Sequence, residues 1–378
     1  MNKSIVQIIV LIMISKTEAQ TSVLHVADSL YVIGNYSKAI EQYKSYDRPL
    51  EIYDKIARAY VAIGNYDEAL KNYGSGIKTN PDDVLLKYEY AKLLSKTKKF
   101  KDASKMFNEL VYLDYRNPNY HYQLGLVLEQ LGDSTAMNRF WSTYDLDPTH
   151  QKAIYKIAKH FVQKRQYGLA EKYIDKGLDT YENNVELINL NALNFYYQQN
   201  YTKAIVWFEK LISLGESSEF IHEKLSTSYA QEHEFKKAIE QRLLALKFNP
   251  YDATAIYVIG TYYEKLEDFI NAEKFIKRSL LLKDVPLDGE YQNLGMVYNR
   301  QGKYREAIEA FQIAIKENPE NIEVVFLSII SKDKYYKDID TKIKLYENFM
   351  EHHPKSVYVQ FAKSRLKELK QEKFLEED

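Results

Sequence analysis

The chain contains no cysteine. Disulfides, thiolate metal sites and cysteine nucleophiles are therefore excluded, and the fold must be held by packing alone. Glycine and proline are sparse, with 13 and 8 residues in 378, and neither gathers into a linker. A long flexible segment thus has no compositional support. Charge of one sign is missing as well: 52 basic and 53 acidic side chains leave a formal net charge of −1. No global field draws the chain to a polyanion, so nucleic acid is not an expected partner. Nor does any apolar run reach the roughly 20 residues that a bilayer-spanning helix needs.

Residue patterns that carry chemistry are equally scarce. The eight histidines, at 25, 121, 150, 160, 222, 233, 352 and 353, have no metal-ligand spacing. No G-x-G-x-x-G, P-loop or G-x-S-x-G motif occurs, and carboxylates are spread along the whole chain. We expect no catalytic residue, no metal and no cofactor, and read the chain as a non-enzyme.

What is present is apolar material and tyrosine. Hydrophobic residues make up 45% of the chain, enough to fold nearly its whole length, and tyrosine reaches 34 residues. At the N-terminus Lys3 precedes an apolar run from Ile5 to Ile14 broken only by Gln7, and Thr17-Glu18-Ala19 follows before Gln20. This charged, apolar, small-residue order predicts a signal peptide over residues 1–19 and an exported chain, periplasmic or secreted. An uncleaved N-terminal membrane anchor is the alternative. After signal removal no integral membrane span is expected. The Ala-Gln junction and the composition rich in Lys, Asn, Ile and Tyr resemble exported bacterial proteins.

A repeat organises the remainder. Tyr291, Leu294, Gly295, Tyr298, Ala307, Phe311, Ala314 and Pro319 place two amphipathic helical faces either side of a turn. Small residues at Gly295 and Ala307 allow the helices to approach closely, and Phe311 fills the space beside them. The small pair recurs upstream at Gly260 and Ala272, Ser226 and Ala238, Ala192 and Ala204, Ala158 and Ala170, Gly125 and Ala136, Ala91 and Ala103, Ala57 and Ala69, and Ala27 and Ala39. First members sit at 27, 57, 91, 125, 158, 192, 226, 260 and 295, so five of the eight intervals are 34 residues. Pro81, Pro148, Pro250 and Pro319 mark helix stops, and Gly34-Asn35-Tyr36, Gly64-Asn65-Tyr66 and Gly302-Lys303-Tyr304 mark turns.

Period and pattern resemble the tetratricopeptide repeat over roughly Gln20 to Pro354. The expected fold is all-α: a right-handed superhelical solenoid of helical hairpins over 20–354, with about nine clear repeats and one degenerate one. Residues 355–378 are expected to form a C-terminal capping helix and charged tail, with Tyr358, Phe361, Ala362 and Leu366 on its apolar face. Departures are expected near Asn191, which replaces an apolar residue, and after Pro319, where Ser328 and Ile329 break the pattern.

The resemblance also implies a function: a protein-interaction scaffold or adaptor that takes partner proteins or extended peptides on the concave face formed by the first helices. By the family's groove positions the candidate binding residues are Arg58, Tyr88, Lys92, Tyr122, Tyr155, Lys159, Tyr196 and Tyr257. Tyrosine supplies contact area at low entropic cost, and the cations pair with carboxylates. The same tyrosines have a second reading as half-buried spacers between first helices. The two-carboxylate clamp of some family members is missing, since its positions read Asp54 and Arg58, Tyr88 and Lys92, Tyr122 and Leu126. A structural part of an envelope assembly, secretion or motility machine is the alternative function, and a glycan-binding protein is a third.

Overall fold

The computed structural model describes residues 23–46, 52–282 and 287–377. The expected signal segment lies outside them. Among the described residues there are twenty-one helices and no strand. They pair into ten hairpins: α1 (23–32) with α2 (Tyr36–Lys44), α3 (Tyr53–Ala62) with α4 (Tyr66–Thr79), α5 (Val84–Lys96) with α6 (Phe100–Leu113), α7 (Pro118–Gln130) with α8 (Ala136–Leu146), and α9 (Gln151–Gln163) with α10 (Tyr167–Thr180). Next come α11 (Val185–Tyr197) with α12 (Tyr201–Ser213), α13 (Glu219–Gln231) with α14 (Phe235–Ala245), α15 (Ala253–Lys265) with α16 (Phe269–Leu280), α17 (Asp288–Arg300) with α18 (Tyr304–Glu317), and α19 (Ile322–Tyr335) with α20 (Ile339–His352). Helix α21 (Val359–Glu377) follows. The chain divides into two compact units between Glu182 and Asn183.

Local chemistry repeats with the period. Seven first helices open on a side chain that accepts from a backbone N–H two or three residues on: Asp83, Asn117, His150, Asn184, Ser218, Asp252 and Asn321. The turn inside each of the first nine hairpins holds one residue in the left-handed region, with φ between 57° and 83°. These residues are Gly34, Gly64, Lys98, Gly132, Arg165, Gln199, His233, Glu267 and Gly302. The next residue always donates its N–H back to the carbonyl five residues earlier, as Asn35 does to Leu30 at 2.8 Å and Lys303 to Tyr298 at 2.9 Å. Only four of the nine turns use glycine. The other five accept about 1 kcal/mol of strain each, which the surrounding helices outweigh.

Packing follows the small-residue register. Every alanine expected at a first-helix or second-helix small position from Ala27 to Ala307 is fully buried, save Ala136 at 8% exposed. At Gly125, Gly260 and Gly295 an added Cβ would lie 2.7, 2.7 and 2.5 Å from Phe140, Ile276 and Phe311, so the second-helix side chain fills the notch that glycine leaves. Ser226 keeps the register by donating its hydroxyl to the Ala238 carbonyl at 2.7 Å. The filling position reads Phe107, Phe140, Ile174, Phe208, Arg242, Ile276 and Phe311. Arg242 is the departure. It is buried and satisfies its charge on Glu223 at 2.6 Å.

In the second unit the degenerate tenth hairpin is finished by α21. Ala362 and Leu369 are fully buried, and Tyr358 stacks on Phe326 at 5.0 Å. Beneath them Asp333, its side chain 6% exposed, receives Arg365 at 2.9 Å, the Tyr346 hydroxyl at 3.0 Å and Lys342 at 3.8 Å. Two outer ion pairs, Lys370 to Glu347 at 2.9 Å and Lys373 to Asp340 at 2.7 Å, fix the far half of the helix. The expected apolar face needs one correction. Phe361 is 66% exposed, because α21 seats through Ala362 and Leu369, which turns its neighbour Phe361 outward.

Candidate functional site

A candidate cleft lies in the first unit. A cavity of about 540 Å³ is bounded by four successive first helices: Tyr31 from α1, Arg58 from α3, Glu89, Lys92 and Lys96 from α5, and Gln123 from α7. Tyr73 of α4 reaches it from behind. A second recess of about 310 Å³ shares Arg58, Tyr73 and Glu89 and adds Asp54, Asp83 and Leu85. Helix spacing creates this cleft. The small residues Ala57 and Ala91 draw each first helix onto its own second helix and leave the opposite flanks facing the open side.

Charge in the cleft is arranged in local pairs. Arg58 is ion-paired with Asp54 one turn earlier, and Lys92 with Glu89 at 3.2 Å. Lys92 also rests over the Tyr88 ring, 5.3 Å from its centroid, and Lys96 over the Tyr66 ring at 4.7 Å. Burial, with the Glu89 carboxylate adding to it, pushes the Tyr73 phenol up to about 12. It therefore remains a neutral hydrogen-bonding group at any physiological pH.

Of the eight sequence-predicted residues, Arg58 and Lys92 line the cavity together. Tyr88 stands behind Lys92 and packs on Phe107 and Tyr120 at 6.2 and 5.6 Å. Tyr155 is half-buried under Lys159, whose ammonium is 5.7 Å from the ring centroid. Tyr122 is a correction: it is 8% exposed and sits between Phe140 at 5.8 Å and His150 at 4.9 Å. The histidine that caps α9 supplies a flat face there, which draws the ring into the core instead of the cleft. Tyr196 and Tyr257 belong to the second unit. Tyr196 lies between Tyr197 and Tyr201 beneath Lys224, 4.6 Å from its centroid, and the Tyr257 hydroxyl accepts from Asn293. Groove positions on the first helices missed Tyr73 because it belongs to a second helix. Its signal was a hydroxyl at a filling position that carries Phe or Ile in most of the other hairpins.

The histidines beside Tyr122 make this region pH-sensitive. His121 is fully buried, with Nε2 2.8 Å from the Tyr115 carbonyl oxygen, and His150 Nδ1 accepts the Ala153 N–H at 3.2 Å. Burial lowers both pKa values below the ordinary imidazole range. In the unfolded chain each takes up its proton near pH 6.5, earlier than in the fold, so stability is present above that pH and is lost as pH falls below it. The first unit is expected to melt at progressively lower temperature from pH 7.5 to 5.5. The conservative His150→Asn variant, which keeps a cap and loses the titration, flattens that dependence; an unchanged slope in this variant rules out His150 as a contributor.

Among the described residues no group of three or more His, Cys, Asp or Glu side chains is placed to hold a metal ion, and no helix is long and apolar enough to cross a membrane. Sequence profiles of the tetratricopeptide repeat match residues 57–125 and 290–321. Superkiller protein 3 of Schizosaccharomyces pombe is 23% identical over 224 residues, 53% of this chain and 16% of its own length. A TPR repeat-containing protein of Methanocaldococcus jannaschii is 25% identical over 157 residues, 39% of this chain and 28% of its own length. The chain thus spans less than a third of these relatives. The crystal structure of the C-terminal part of a TPR repeat-containing protein from Cytophaga hutchinsonii superimposes with a TM-score of 0.52 at 16% identity, covering 64% of this chain and 98% of that one. With the recurrent hairpins, turns and small-residue notches, these matches identify tetratricopeptide repeats in the chain and an all-helical fold of that type.

Proposed function

We propose that the chain is a non-catalytic protein-interaction scaffold that takes an extended segment of a partner protein in the cleft of its first unit. One observation carries the reading: Arg58, Glu89 and Lys92 border an open cavity that Tyr31 and Tyr73 also line, Asp54 borders the adjoining recess, and the three charged residues of the cavity lie inside residues 57–125 where a tetratricopeptide profile matches. Pre-paired charges of both signs favour a segment that carries both signs itself, because each new ion pair replaces an internal one. Exposed pairs contribute about 0–1 kcal/mol each, so charge order supplies selectivity more than affinity.

The test is a comparison of baits. The full chain and its Arg58→Glu/Lys92→Glu variant are immobilised at physiological salt and the recovered proteins quantified, with thermal melting recorded in parallel. At least a tenfold drop in recovery with an unchanged melting temperature is expected. Identical recovery by both baits would show that the cleft is not the binding surface.

A further inference from the structure

The recess beside the cleft is incomplete by the standard of the chain's own first hairpin. There Tyr43, four residues after the small Ala39, donates its hydroxyl to Asp28 at 2.6 Å, and the Lys55 ammonium completes the group 2.7 Å from the same carboxylate. Tyr73 stands at the same place after Ala69 in α4. The positions that supply Asp28 and Lys55 in the first hairpin carry Arg58 and Glu89 in the second, so the two signs are exchanged. Arg58 turns to Asp54 and Glu89 to Lys92. Tyr73 is 3% exposed and borders both cavities, yet its hydroxyl has no hydrogen-bond partner among the described residues. A buried tyrosine hydroxyl ordinarily has one. Close by, Asp83 accepts the Leu86 N–H at 2.9 Å as the cap of α5 and has no cationic partner among the described residues. The walls come from three elements: Asp54 and Arg58 of α3, Tyr73 of α4, and Asp83, Leu85 and Glu89 at the head of α5. Three carboxylates thus face one guanidinium, and Arg48, in the stretch outside the described residues, would still leave carboxylates in excess.

We infer that this recess takes a basic side chain of the partner segment, its methylenes along Leu85 and its nitrogen donating to Asp83 and to the Tyr73 hydroxyl. The inference rests on the cleft reading above and names the residue type that enters it. A lysine or arginine from outside supplies there what Lys55 supplies one hairpin earlier. The Tyr73 phenol stays protonated, because burial and the Glu89 carboxylate hold its pKa up to about 12, and a neutral phenol oxygen accepts from a cation. Leu85, 70% exposed at the rim, offers apolar surface to the stem. Size and charge exclude other occupants. A volume of about 310 Å³ is too small for a helix roughly 10–12 Å across. An entering carboxylate meets Asp83 and Glu89 as like charge, and an apolar side chain leaves Asp83 and the hydroxyl unpaired once water is displaced.

The probes are the N-acetyl amides of arginine, lysine, norleucine and glutamate, titrated at low salt into the full chain and followed by saturation-transfer NMR. The arginine and lysine compounds are expected to bind saturably and about tenfold more tightly than the other two. Tyr73→Phe, which keeps the packing ring, and Asp83→Asn, which keeps the cap of α5, are each expected to weaken them about tenfold at an unchanged melting temperature, the scale for losing a hydrogen bond to a charged group. Tyr155→Phe, a half-buried tyrosine outside the recess, is the control and leaves binding intact. The inference is overturned by equal affinity for all four probes, by no binding, by unchanged affinity in both recess variants, or by an equal loss in the control. It is also overturned if Arg48→Gln binds the basic probes about tenfold more tightly, since the chain's own arginine then fills the recess. The two readings fail separately. Loss of protein recovery in Arg58→Glu/Lys92→Glu without probe binding keeps the cleft and sinks the basic side chain, whereas probe binding with unchanged recovery keeps the recess and sinks the cleft.

Discussion

Asp333→Ala is expected to destabilise the C-terminal end of the second unit by about 3 kcal/mol, the scale for removing one partner of a buried ion pair. Most ion pairs of this chain are exposed and worth little, but the Asp333 side chain is 6% exposed and is the common acceptor of Arg365, Lys342 and the Tyr346 hydroxyl. Its loss orphans that buried hydroxyl and leaves Lys342 uncompensated. Arg365 is spared because Glu368 and Glu372 each lie 2.9 Å from it, which keeps the expected loss at the lower end of the range. Because repeat arrays lose stability hairpin by hairpin, the loss should register as faster hydrogen exchange in α19–α21 and an earlier denaturant transition, with other hairpins little changed. Asp333→Asn, which retains a hydrogen-bond acceptor, should lose about half as much. A change below about 1 kcal/mol for the alanine variant would mean that the cluster behaves as a surface network.

Phe311→Ala is expected to remove about 3–5 kcal/mol, as for other fully buried phenylalanines. The ring rests in the notch of Gly295, where an added Cβ would sit 2.5 Å from it, so truncation opens a void between α17 and α18 that neither helix can close alone. The converse substitution tests the same notch. Gly295→Ala overpacks it and costs about 1–3 kcal/mol. If the two side chains compete for one space, Gly295→Ala/Phe311→Leu is more stable than the sum of its single changes, read as a coupling energy from chemical denaturation. Strict additivity would show that ring and glycine are not mutually fitted.

The fold was legible because its signal is positional. Small residues returning every 34 positions located the hairpins even where the residue was Ser226 and the filler was Arg242, since packing constrains volume at a place more tightly than chemical type. Gly34, Gly64 and Gly302 announced their turns. Lys98, Arg165, Gln199, His233 and Glu267 did not, because each adopts a backbone conformation that its composition disfavours and that neighbouring helices impose.

The binding surface was legible only in part. Arg58 and Lys92 could be placed from register alone, yet their internal pairing with Asp54 and Glu89 depends on rotamers that register does not set. Tyr122 departed for a reason 28 residues away in sequence: His150, the cap of the next hairpin, packs against its ring. Tyr73 entered from a helix that the groove positions exclude.

The five turns closed without glycine have a wider consequence. Since the helices hold the left-handed residue whatever its side chain, a change of side chain there alters the exposed chemistry of the turn at a cost of about 1 kcal/mol relative to glycine. All five side chains are exposed, with Lys98 and Arg165 on the first unit and Gln199, His233 and Glu267 on the second. Each unit therefore displays a row of interchangeable signposts along one edge, spaced by the repeat itself. New surface specificities can evolve there one residue at a time, without disturbing the notches that hold the hairpins together.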